Sequence, residues 1–69
     1  MKVRVLFEKE NIYKEVELSG NPKVSDILCK LGVNPETVIV MKNGVVVVEE
    51  ESIKSRDKIK VISFKTANV

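Results

Sequence analysis

Catalysis needs a nucleophile, a group that titrates near neutral pH or a set of metal ligands, and this 69-residue chain has few of them. It has no histidine and one cysteine, Cys29, which excludes a Cys–His nucleophile pair, a Cys/His zinc cluster and an internal disulfide. As a sulfur acceptor Cys29 would need an activating neighbour. The nearest basic residue in sequence is Lys30, and Cys29 adjoins an apolar stripe, so it reads as a small packing residue. Glu49-Glu50-Glu51 and Asp57 are the densest carboxylates, but consecutive side chains on an extended segment point to alternate sides and do not converge on a divalent cation. They read as a solubilising exit from a strand. Paired catalytic carboxylates require a pocket that a chain this short has little room to build. No catalytic residue, metal or cofactor is expected, and the chain reads as a non-enzyme.

The other chemical feature is basic. Lys54, Arg56, Lys58, Lys60 and Lys65 lie within twelve residues, interrupted only by Asp57. Phosphate binding would fit such a run, but the only aromatic nearby is Phe64, too little for a stacking platform on single-stranded RNA. A solvated strand face is the plainer reading; the lysines would also suit an acidic partner or discourage edge-to-edge strand pairing. Over the whole chain, 12 basic and 10 acidic residues leave a net charge of +2, with no global polyanion signal. Charges interrupt Met1-Lys2-Val3-Arg4-Val5, and no apolar run approaches the roughly 18 residues of a membrane span. The expectation is a reducing, cytoplasmic location without membrane association.

The elements that position these residues follow from hydrophobic period. Val3, Val5 and Phe7 alternate with Lys2, Arg4 and Leu6, predicting a strand over 2–8. Lys9-Glu10-Asn11 is a polar turn, and the alternation of Val16 and Leu18 with Glu15 and Glu17 predicts a second strand and a hairpin. Ser19-Gly20-Asn21-Pro22 breaks the pattern. Val24, Ile27, Leu28 and Leu31 then follow helical spacing, Gly32 supplies a left-handed stop, and Asn34-Pro35 prevents resumption. Val38–Met41 and Val45–Val48, joined by Lys42-Asn43-Gly44, predict a second hairpin, because Asn-Gly favours the two-residue turn. Ile53 anchors a connection, and Ile59 with Val61 marks a last strand. The order is β-β-α-β-β-β, in one domain over 1–64 with a short flexible tail over 65–69.

A helix with one apolar stripe and a sheet with one apolar face bury both by packing together. The reading is an α+β β-grasp: a mixed sheet whose inward residues Val3, Val5, Val16, Leu18, Val40, Ile59 and Val61 lie under one helix. Alternation then places Ile39, Met41, Ile62 and Phe64 on the opposite face, where an open sheet is normally polar. An apolar patch rimmed by Lys42, Lys60 and Lys65 marks a docking surface.

Three segments carry a family resemblance: the helix Val24-Ser25-Asp26-Ile27-Leu28-Cys29-Lys30-Leu31-Gly32, the stretch Asn34-Pro35-Glu36-Thr37-Val38-Ile39-Val40-Met41-Lys42-Asn43-Gly44, and the ending Ile53-Lys54-Ser55-Arg56-Asp57-Lys58-Ile59-Lys60-Val61-Ile62. In this order and spacing the chain resembles the ThiS/MoaD sulfur carriers of thiamin and molybdopterin biosynthesis, which are ubiquitin-like β-grasp proteins. The resemblance implies docking of the sheet face on an adenylating enzyme or a sulfur-accepting synthase, with the tail Thr66, Ala67, Asn68 and Val69 entering a groove of the partner. It also implies a terminal Gly-Gly as the thiocarboxylate end, where this sequence has Ala67-Asn68-Val69, and a turn glycine where it has Arg56. The expectation is therefore docking ahead of thiocarboxylate carriage. Two other readings stay open: a ubiquitin-like adaptor or dimerisation module, and an RNA-contacting β-grasp domain using the basic run.

Overall fold

The computed structural model describes residues 1–64, and the tail 65–69 lies outside the described residues. Five strands form one sheet: β1 Lys2–Phe7, β2 Ile12–Glu17, β3 Val38–Lys42, β4 Val45–Val47 and β5 Ile59–Ser63. They are arranged β2-β1-β5-β3-β4. β1 pairs antiparallel with β2 and parallel with β5, whereas β3 pairs antiparallel with β5 and β4, so the sheet is mixed. One helix, α1 (Val24–Leu31), connects the two hairpins. This is the expected β-grasp, with β1 one residue shorter than its alternation predicts.

The core confirms the alternation. Val3, Val5, Val16, Leu18, Val40, Ile59 and Val61 from the sheet side, Val24, Ile27 and Leu28 from the helix, and the connecting Ile53 form one buried cluster. Among the described residues no polar or charged side chain is buried. The side chains that seal the core are β-branched or leucine, the types that pack on a pleated sheet and in a short amphipathic helix.

The helix ends have specific partners. At the start, the amides of Val24 and Ser25 donate to the carbonyls of Glu51 and Glu49, both at 3.0 Å, and the Asp26 carboxylate accepts from the Lys23 amide at 2.8 Å. The acidic stretch 49–51 thus does more than leave a strand: its backbone satisfies amides that a helix N-terminus would otherwise leave unpaired. At the end, Gly32 takes φ of 70°, and the Val33 amide donates to the Leu28 carbonyl at 2.9 Å. This left-handed closure is favourable for glycine. A short 3-10 turn, Pro35–Thr37, follows; its Asn34 side chain accepts from the Glu36 amide at 3.0 Å. The propensity of Asn34-Pro35 to stop a helix is read correctly from sequence, but the 3-10 turn is not.

Cys29 differs from expectation. It is exposed, not packed, because Ile27 and Leu28 occupy the buried stripe and the next position turns outward. The eight-residue helix is far too short and too amphipathic to cross a membrane, and no helix among the described residues is long and apolar enough to do so.

Candidate docking surface

The outer face of the sheet is built by the residues that alternate with the core. The β3–β5 register sets Ile39 opposite Ile62 and Met41 opposite Lys60. Ile39 is 39% exposed, while Met41 and Ile62 are half-buried. The Phe64 amide donates to the Thr37 carbonyl at 3.2 Å, which continues the ladder one step beyond β5. Phe64 lies two residues beyond Ile62 and is 57% exposed. Four apolar side chains therefore gather on the side of the sheet turned away from α1.

The rim differs from the sequence-based expectation. Lys60 lies on this face, half-exposed, with its Nζ 3.7 Å from a Glu8 carboxylate oxygen. Lys42 does not. It has the parity of Val40, so it projects on the helix side of the sheet. There its Nζ donates to the Glu51 carboxylate at 2.6 Å and to the Ser52 carbonyl at 3.1 Å. The hydrogen bond to Glu51 raises the Lys42 pKa, partly offset by burial. Lys42 fastens the 49–52 connection and is no part of the patch. Lys65 and the tail residues Thr66, Ala67, Asn68 and Val69 fall outside the described residues.

Register also joins residues that the sequence reading left apart. Tyr13 faces Leu6, Leu6 faces Lys60, Lys60 faces Met41 and Met41 faces Val46, one rung running across all five strands. Tyr13 is 60% exposed, and the Arg4 guanidinium lies 5.3 Å from its ring centre. The signal was present in the first strand: if Val3 and Val5 point inward, Arg4 and Leu6 must point outward.

A polar network fixes the lower end of this face. Asn43 and Gly44 have φ of 54° and 84°, the left-handed pair of a tight hairpin turn. Asn43 also accepts from the Lys58 amide at 2.9 Å and donates through its side-chain nitrogen to Asp57 at 3.1 Å. The other Asp57 oxygen accepts from the Lys54 amide at 2.8 Å. Burial pushes the Asp57 pKa upward, but the Lys54 amide, the Asn43 side chain and the Lys42 and Lys54 charges prevail, and the net shift is downward. Arg56 sits in this turn without a positive φ, so the position needs no glycine. Cys29 and the carboxylates 49–51 lie in other elements and do not join the surface. Among the described residues no group of three or more His, Cys, Asp and Glu side chains gathers to hold a metal.

A two-hairpin mixed sheet grasping one helix defines the ubiquitin-like β-grasp class. The family model described as small archaeal modifier protein 2 matches residues 1–64. The sulfur carrier protein TtuB of Thermus thermophilus is 36% identical over 50 residues, covering 72% of this chain and 77% of that protein. The chain belongs to the small archaeal modifier protein 2 family, within the ThiS/MoaD-like ubiquitin-like sulfur carriers, and its relatives are carriers or modifiers and not enzymes.

Proposed function

We propose that this chain acts in sulfur transfer by docking on a protein partner, an adenylating enzyme or a synthase of cofactor biosynthesis, in the cytoplasm. Ile39, Met41, Ile62 and Phe64 form the contact, Lys60 and Lys65 supply positive charge at its border, and residues 66–69 lead into the partner's groove. The observation that carries this reading is the pairing of Ile39 with Ile62 on the face turned away from the helix. Apolar side chains that the core does not need, gathered on one exposed face, favour burial by another protein. The similarity to the Thermus sulfur carrier supports sulfur as the transferred element.

The test is calorimetric titration of the chain with a purified ubiquitin-activating-type adenylating enzyme. The variant M41E/I62E is expected to bind at least tenfold more weakly, a loss of about 1.4 kcal/mol or more, while keeping its fold by circular dichroism. Unchanged affinity would refute the assignment. Sulfur loading is read separately, in the same mixture with ATP and a sulfide donor, as a gain of about 16 Da in intact mass when sulfur replaces a carboxylate oxygen.

A further inference from the structure

The outer face continues past the docking patch to a second region that overlaps it at Met41 and Lys60. A shallow cavity of about 810 Å³ opens beside the Asn43-Gly44 turn. Leu6, Tyr13 and Met41 line it, and four cations border it: Arg4, Arg56, Lys58 and Lys60. The one acidic side chain lining it, Asp57, already accepts hydrogen bonds from Lys54 and Asn43. The chain as a whole carries only +2, so this concentration of positive charge is local.

We propose that this cavity is a binding site for an acidic protein segment bearing an apolar anchor, distinct from the contact formed by Ile39, Ile62 and Phe64. The occupant follows from complementarity. Leu6, Tyr13 and Met41 offer an apolar floor to one inserted side chain, and the surrounding Arg and Lys groups pair with carboxylates on either side of it. A nucleic acid fits less well. Tyr13 is the one aromatic ring lining the site, too little for a platform on which successive bases stack. The site shares Met41 and Lys60 with the docking patch but does not depend on sulfur transfer.

The probe is a short amidated peptide of Asp and Glu with one central Leu, titrated into the isotope-labelled full chain near physiological ionic strength and followed by amide chemical shifts. Saturable shifts are expected at Arg4, Leu6, Tyr13, Lys58 and Lys60. Exchanging the peptide's Leu for Ser is expected to weaken binding about tenfold. Arg56 and Lys58 are exposed, so R56Q/K58Q should keep the dispersed spectrum of the folded chain and lose about five- to tenfold in affinity. The proposal is overturned by any of four results: no saturable shift, shifts confined to Ile39, Ile62 and Phe64, a folded R56Q/K58Q variant with unchanged affinity, or an oligothymidylate that occupies the cavity more tightly than the peptide.

Discussion

In β3 and β5 the two faces of the sheet carry similar apolar side chains, yet they are in opposite states. Val40 and Met41 are neighbours in β3, and Val61 and Ile62 are neighbours in β5; in each pair the first is buried under α1 and the second is left half-exposed on the far side. Hydrophobicity alone does not distinguish them. Partnership does: α1 covers the inner set, whereas none of the described elements covers the outer one. The comparison teaches that stability and recognition are written into this chain one residue apart, so substitutions on the two faces should separate them.

The largest effect belongs to the inner face. Ile27 is fully buried at the helix–sheet contact, and Ile27→Ala is expected to cost about 2–5 kcal/mol through lost burial and the cavity left behind. In a domain this small each kcal/mol lowers the melting temperature by roughly 4–8 °C. Thermal unfolding checks this, and a variant melting like the wild type would break the contrast between the faces.

An intermediate effect comes from the seam that holds β3 against the approach to β5. Asn43→Ala removes the side-chain hydrogen bonds to Lys58 and Asp57 and places alanine at φ of 54°. The expected cost in urea unfolding is about 1–2 kcal/mol. Because the same seam borders the cationic cavity, this variant sharpens the comparison by loosening one end of the outer face without touching the apolar core.

The smallest effect is on pH. The terminal ammonium of Met1 donates to Glu17 at 3.0 Å and lowers that carboxyl's pKa. Asp57 is also lowered, by the bonds and charges that outweigh its burial. A carboxylate with a depressed folded pKa contributes stability above its unfolded value, near pH 4, and loses it as pH falls through the folded value. Lys42 has the opposite sign: its raised pKa contributes below about pH 10.4 and is lost as pH rises beyond it. Denaturation midpoints should therefore be flat near neutrality, with a modest decline in acid that Asp57→Asn reduces.

Much of this was legible in the sequence because period and punctuation act locally. Alternation placed all seven inward sheet-side residues, helical spacing found Val24, Ile27 and Leu28, and Gly32 and Asn43-Gly44 marked the turns. Not all of what escaped depended on distant partners. Lys42 shares the parity of Val40, a local signal that already excludes it from the patch; only its ion pair with Glu51 is invisible in the sequence. Cys29 adjoins the apolar stripe in sequence but turns away from it in space. The bonds of Asn43 to a loop fourteen and fifteen residues later have no local signature. The Tyr13–Leu6–Lys60–Met41 rung required the parallel β1–β5 pairing, which joins the two ends of the chain.

The most direct test of the division between faces compares the single variants Ile62→Glu and Val61→Ala in parallel, measuring affinity for the adenylating enzyme and unfolding free energy on each. The expected result is that Ile62→Glu loses docking with little change in stability, while Val61→Ala loses stability and docks normally as long as it is folded. Normal docking by Ile62→Glu, with the weakened binding found instead in Val61→Ala, would contradict the account.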